Sequence, residues 1–100
     1  MSIQIGGYHA EGPFGNLDSL KSQSGVYVIL GRNGQNNWSV VDVGESRDIK
    51  TRTSNHDRAS CWQRQGYGEL AIAPIYVPEV RRMIIERQLR HQYNPSCGKI

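Results

Sequence analysis

The sequence has no long hydrophobic run, and its longest apolar stretches lie around residues 25–30 and 70–77. A helix that crosses a bilayer needs about 20 consecutive apolar residues, so neither stretch predicts a membrane segment. The N-terminal residues 1–10 also lack the positive charge and apolar core that mark a secretory signal. We therefore expect a cytoplasmic protein.

Cysteine is scarce, since only Cys61 and Cys97 occur. Because no secretory signal is seen, we expect both to be reduced thiols that behave as small apolar residues, although they could pair. An alternative combines both cysteines with His56 and His91 as ligands of a structural zinc ion. Their spacing contains no close cysteine or histidine pair, and such pairs are typical of zinc sites, so the pattern disfavours this alternative.

The chain also lacks internal repeats, low-complexity tracts and a linker-like segment. A length of 100 residues is that of one domain, which predicts a single domain over residues 1–100. Hydrophobic residues make up 37% and charged residues 21%, an ordinary composition for a globular protein.

Positive charge is in mild excess, with a formal net charge of +3. Its distribution is more informative, because the basic residues concentrate in two segments. Two such segments can form a groove that attracts phosphate groups, or they can be the solvated faces of two helices. The first segment holds Arg47, Lys50, Arg52 and Arg58, and the second holds Arg81, Arg82, Arg87 and Arg90.

Three segments have the composition of β-strands. Residues 25–30 are rich in β-branched and aromatic side chains, and the Asn33-Gly34 turn separates them from a second strand over residues 38–43. The two should form an antiparallel hairpin in which Tyr27 and Ile29 share one face. Residues 70–77 predict a third strand, with Pro74 confining it to an edge or requiring a bulge.

Helices are predicted between and after these strands. The first runs from Arg47 to His56 with Ser46 as its cap, and a short one covers residues 59–65. The last follows Pro78 and ends near Tyr93, before Asn94-Pro95. On that helix Met83 and Leu89 share a predicted apolar stripe, and Glu86 lies between them.

The order of these elements predicts an α/β chain of the α+β type, with a small central antiparallel three-stranded sheet flanked by helices. Upstream of it, we expect an edge strand near residues 2–5. A short helical turn is predicted over residues 17–21, with Asn16 as its cap.

An ordered set of residues resembles the GIY-YIG nuclease superfamily. Gly25-Val26-Tyr27 is similar to the first half of the signature, and Asp42-Val43-Gly44 is similar to the second half. Arg52 stands eight residues after the signature glycine, where the family has its arginine, and His56 follows one helical turn later. Glu86 matches the family's glutamate on the last long helix.

The resemblance implies a metal-dependent endonuclease that hydrolyses phosphodiester bonds in nucleic acid, most naturally DNA, with one Mg²⁺ or Mn²⁺ ion. Glu86 would be the metal ligand, because carboxylates suit hard cations. Arg52 would bind the phosphate and the charge that develops on it. Tyr27 would act as general base or orient the attacking water, and His56 would share in proton transfer.

Further residues would contact the substrate. Gly44 would allow close backbone approach at the strand end, and Arg47 and Lys50 would contribute positive charge. Asp42 replaces the second signature tyrosine, and its charge would repel a phosphate unless it helps to hold the metal or pairs with Arg52. Gly98 stands where the family usually has an asparagine. Both replacements favour an alternative, a catalytically degenerate nucleic-acid-binding module.

Each of these residues also has a structural interpretation. Tyr27 can be a strand aromatic, and Glu86 can pair with Arg82 or Arg90 four positions away on the helix. A protein-interaction domain without a nucleic-acid role is therefore a third hypothesis. Under the nuclease hypothesis, so short a chain would obtain sequence specificity from a partner protein or from a structural feature of the DNA or RNA.

Overall fold

A computed structural model describes residues 1–98 and shows a mixed α+β fold. The strands are β1 (Ser2–Ile5), β2 (Tyr8–Glu11), β3 (Gly25–Arg32), β4 (Ser39–Ser46) and β5 (Glu69–Tyr76). The α-helices are α1 (Ile49–Ser54), α2 (Ala59–Arg64) and α3 (Glu79–Tyr93), and a single 3₁₀ turn covers Leu17–Ser19. The predicted three-stranded antiparallel sheet flanked by helices is confirmed, in the order β4-β3-β5.

The central strand, β3, is buried on both faces over residues 25–31. Tyr27 lies opposite Gly44 of β4 on one side and opposite Pro74 of β5 on the other. A bulge in the β3–β4 pairing follows Ile29. Because β5 pairs with β3 and lies at the end of the order β4-β3-β5, Pro74 is in an outer strand of the sheet, as its missing N–H group predicts.

The two faces of the sheet support separate hydrophobic clusters, and the predicted alternation of β3 is confirmed. Val26, Val28 and Leu30 pack with Ile85 and Leu89 of α3. On the opposite face, side chains of the strands, of α1 and α2 and of the C-terminal segment pack together; they include Tyr27, Ile29, Val41, Ile49, Trp62 and Cys97. The sheet is thus a middle layer between helices.

Some elements differ from the predictions. Residues 8–11 form a second N-terminal strand because Gly6 and Gly7, both at positive φ, turn the chain back onto β1. Helix α1 begins later than predicted, since its cap is Asp48, whose side chain accepts from the Thr51 N–H, and not Ser46. Met83 is 51% exposed, so its place on the buried stripe of α3 was wrong.

The C-terminal segment after α3 returns along the outer edge of β4. The Cys97 N–H donates to the Val41 carbonyl at 3.1 Å, and Cys97 forms a disulfide with Cys61 of α2. Their Cα atoms are 5.9 Å apart, within the usual span of a disulfide. The prediction of two reduced thiols was wrong because residues 36 positions apart in sequence become neighbours only through this return.

Within residues 1–98, no helix combines the length and the apolar composition needed to cross a membrane.

Candidate functional site

An open pocket of about 380 Å³ lies beside the end of β4 and brings together residues from most elements of the sheet and its helices. Tyr27 enters it from β3, Arg52 from α1 and Glu86 from α3. The resemblance assigned the proton-transfer, phosphate-binding and metal-binding roles to these three groups, and the structure places them on one surface. Among residues 1–98, the lining is Tyr27, Gly44, Glu45, Arg52, Arg58, Glu86, Arg90 and Gly98.

Gly44 makes room for the phenol of Tyr27. The two residues are paired across β3 and β4, and a Cβ atom at position 44 would overlap the Tyr27 ring and hydroxyl. Only glycine therefore lets the phenol lie over β4 at the pocket. Gly44 contributes space to the site, and its own backbone lines the pocket wall.

His56 lies behind Tyr27 and is held by two hydrogen bonds. The Arg58 backbone N–H donates to His56 Nδ1 at 3.0 Å, so Nδ1 must be an acceptor. In a neutral imidazole the proton then resides on Nε2, which lies 2.5 Å from the Tyr27 hydroxyl oxygen. The imidazole therefore donates to the phenol, and the phenolic proton remains available to groups in the pocket.

Burial and nearby positive charge control both titrating groups. Burial, together with the guanidinium groups of Arg52 and Arg58, lowers the pKa of His56 from 6.5 to about 4. Burial also raises the pKa of Tyr27, against an opposing effect of the same two arginines. At neutral pH the pair is accordingly a neutral imidazole and an intact phenol.

Arg52 reaches the pocket from the last turn of α1 and carries one exposed partner. Its Nη2 donates to Asp57 Oδ1 at 2.7 Å, and the Asp57 side chain is 72% exposed. Exposed ion pairs contribute about 0–1 kcal/mol, so an anion in the pocket can compete for this guanidinium at little cost.

Glu86 is half-buried and accepts from Arg90 Nε at 3.2 Å, which is one of the helix pairings expected for it. Glu45, the other carboxylate of the pocket, pairs with Arg82 at 2.7 Å. A hard cation such as Mg²⁺ is commonly held by one or two carboxylates and several waters. Glu86 and Glu45 are the two carboxylates that line the pocket and could hold such a cation, and each is paired with an arginine in this structure.

Asp42 departs from its predicted position among the substrate contacts. Its side chain is fully buried beneath the pocket, where Arg58, Trp62, Arg90 and the Val43 N–H donate to it. It pairs with these two arginines and not with Arg52. The Asp42 carboxylate is therefore not exposed to the pocket, and both of its oxygens already accept hydrogen bonds.

The zinc alternative is also corrected. Cys61 and Cys97 are joined in a disulfide, and His56 is bonded to Tyr27 and Arg58. In the part of the chain that the structure describes, no three histidine, cysteine, aspartate or glutamate side chains form a metal-binding group.

Two predicted substrate contacts, Arg47 and Lys50, are not part of the pocket lining. The structure adds Arg58, Arg90 and Glu45, which the sequence did not single out for the site. The two arginines belong to the two basic segments of the sequence, and this clustering was the sequence feature that could have identified them as site residues. Comparisons of the chain with protein-family models, with curated proteins and with solved structures each give no match.

Proposed function

We propose that this chain is a metal-dependent endonuclease with a GIY-YIG-type site that hydrolyses phosphodiester bonds in nucleic acid, DNA being the favoured substrate. The observation that carries the proposal is the common pocket of Tyr27, Arg52 and Glu86, contributed by β3, α1 and α3. A phenol, a guanidinium and a carboxylate meet there from distant parts of the sequence, and they can orient the attacking water, bind the phosphate and hold a divalent cation.

Arg52 and Tyr27 have separate roles in the proposed reaction. Arg52 donates to the non-bridging phosphate oxygens and stabilises the charge that grows on them. Tyr27, with His56 Nε2–H donating to its oxygen, accepts a hydrogen bond from the attacking water through its remaining lone pair. Because burial raises the pKa of the phenol, Tyr27 orients the water as a neutral group.

Glu86, together with Glu45 of the same pocket lining, would hold Mg²⁺ or Mn²⁺. When bound, such an ion supplies Lewis-acid stabilisation of phosphate charge. The Arg90 side chain restrains the Glu86 carboxylate through the hydrogen bond from Nε.

Cleavage assays with supercoiled plasmid and with branched or flapped DNA test this proposal. We expect nicking in Mg²⁺ or Mn²⁺ that stops with chelator and in Glu86→Ala. A matched variant, Glu79→Ala, removes an exposed glutamate from the start of the same helix and should cleave normally. Absence of both binding and cleavage, at low salt where phosphate contacts are strongest, would contradict the proposal.

A second candidate is a nucleic-acid-binding module without turnover. It is favoured by the hydrogen bond that already occupies Glu86 and by the buried Asp42 in place of the signature tyrosine. Binding of the same DNA substrates without nicking at any metal tested would select this candidate over the enzyme.

A further inference from the structure

A buried carboxylate organises two arginines at the floor of the pocket. Asp42 is fully buried, and Arg58 and Arg90 approach it with side chains that are 27% and 19% exposed. Both arginines also line the pocket, and Arg90 is shared between Asp42 and Glu86. Arg58, by contrast, has Asp42 as its carboxylate partner among residues 1–98.

The two arginines differ in how many of their donors are occupied. Arg90 uses all three nitrogens, toward Glu86, the Gly98 carbonyl and Asp42. Arg58 directs Nε to Asp42 at 2.8 Å and Nη2 to Asp42 at 3.3 Å, both from one side of its planar group. Within residues 1–98 its Nη1 has no hydrogen-bond partner, and Arg58 is a residue of the pocket lining, so this side chain retains donors that a ligand could use.

Gly98 packs closely against both guanidinium groups. It lies at φ +75, and a Cβ atom there would stand 2.7 Å from Arg90 Nη2 and 2.8 Å from Arg58 Nε. Any larger residue would therefore displace these groups. The glycine thus lets the backbone lie against the two arginines without moving them from Asp42.

We propose that Arg58 is a second phosphate-binding residue of the site and that Asp42 is the positioning residue that fixes its guanidinium. This inference rests on the proposed function and specifies its substrate. The substrate would be a nucleic-acid strand that places two of its phosphate groups in the same pocket. Arg52 binds the phosphate that reacts, and Arg58 binds a neighbouring phosphate. Because Asp42 already fixes the Arg58 guanidinium, substrate binding does not have to order this side chain. Arg58 therefore contributes to substrate affinity.

Two substitutions of Arg58 test the phosphate contact with labelled flapped DNA. Arg58→Lys keeps the charge beside Asp42 but lacks the planar group that bonds Asp42 and a phosphate together, and it should raise Kd and KM about tenfold with kcat little changed. Arg58→Gln should reduce the slope of log binding constant against log salt by about one. Arg64, an exposed arginine of α2 outside the pocket, is the matched control.

Asp42→Asn tests the positioning role through a separate variant. It keeps Arg58 but removes the charge that fixes it, so KM should rise as in Arg58→Lys while the salt slope stays that of the wild type. Thermal unfolding shows which variants are folded at the assay temperature. A purely structural role would lower the melting temperature and leave KM and the salt slope of the folded protein unchanged.

The outcomes separate the two proposals. Normal DNA affinity and normal salt slope in both folded Arg58 variants would overturn this inference and leave the nuclease proposal standing. A wild-type protein that neither binds nor cleaves DNA would overturn both. Weakened binding in the Arg58 variants, with the Arg64 variants unchanged, is the result we expect.

Discussion

Single residues determine whether the phenol at the pocket is correctly placed. Tyr27 depends on the empty space above Gly44 and on the His56 imidazole behind its hydroxyl. The signature-like pattern predicted Tyr27 and His56 as partners in proton transfer. The structure refines that expectation, because Nδ1 accepts from the backbone and Nε2 therefore already carries a proton. His56 orients the phenol and is not placed to remove its proton.

Gly44→Ala should lower the free energy of unfolding by about 1–3 kcal/mol, the usual cost of overpacking. It should also displace Tyr27 from the pocket and reduce cleavage. Urea unfolding and plasmid nicking measure the two effects. Gly15→Ala is the control, since a Cβ atom there meets nothing within 4 Å. Equal stability of the two variants would contradict the close packing of Gly44 against Tyr27.

The titration of His56 predicts a pH-dependent stability. Its pKa is about 4 in the folded protein against 6.5 normally, so the unfolded chain binds the proton first as pH falls. Stability is complete above pH 6.5 and declines toward about pH 4, by roughly 3 kcal/mol in total. Urea unfolding across that range should show the decline in wild type and in His9→Gln, an exposed control, but not in His56→Gln. The same decline in His56→Gln would refute the assignment.

At the scale of elements, α3 has one buried face and one exposed face. Ile85 and Leu89 are fully buried against the sheet, and Arg82, Glu86 and Arg90 flank them on the half-buried border. The exposed face holds Val80, Met83 and Ile84. The helix therefore presents Glu86 and Arg90 to the pocket from the border of its buried stripe.

Leu89→Ala should cost about 2–5 kcal/mol in unfolding free energy, because it leaves a cavity between α3 and the sheet. Met83→Ala, on the exposed face of the same helix, should change stability by less than about 0.5 kcal/mol. Denaturant unfolding compares them directly. A similar loss from both substitutions would contradict the placement of Leu89 on the buried face of α3 and of Met83 on its exposed face.

Local patterns predicted the elements well where they depend on neighbours in sequence. The alternation of β3, the edge position of Pro74 and the Asn16 cap of the 3₁₀ turn all follow from short-range chemistry. The contacts that the sequence did not predict are long-range. Asp42 finds Arg58 and Arg90 across 16 and 48 positions, and no local pattern specifies such a partner choice.

At the scale of the whole molecule, the C-terminal segment after α3 packs along the outer edge of β4. The Cys61–Cys97 disulfide and the Cys97 N–H bond to Val41 hold it there, and Gly98 then becomes part of the pocket wall. Sequence alone did not predict this packing because nothing in residues 94–98 reveals the direction of the chain after α3.

Reduction of the disulfide should lower the free energy of unfolding by about 2–4 kcal/mol, because the unfolded chain regains the freedom of a long loop. Wild-type protein should lose this stability when reductant is added. Cys97→Ser should show the lower value with or without reductant. Identical unfolding curves for oxidised wild type, reduced wild type and the variant would contradict the linkage.

The central claim is that Arg52 and Glu86 act within one site, and single-turnover cleavage of flapped DNA tests it most directly. We predict that Arg52→Ala and Glu86→Ala each lower the rate about a hundredfold or more, and that the double variant is hardly slower than the worse single variant. The double variant Arg64→Ala/Glu79→Ala serves as the control and should cleave normally. Unchanged rates in the single variants, or losses that multiply in the double variant, would contradict a shared site.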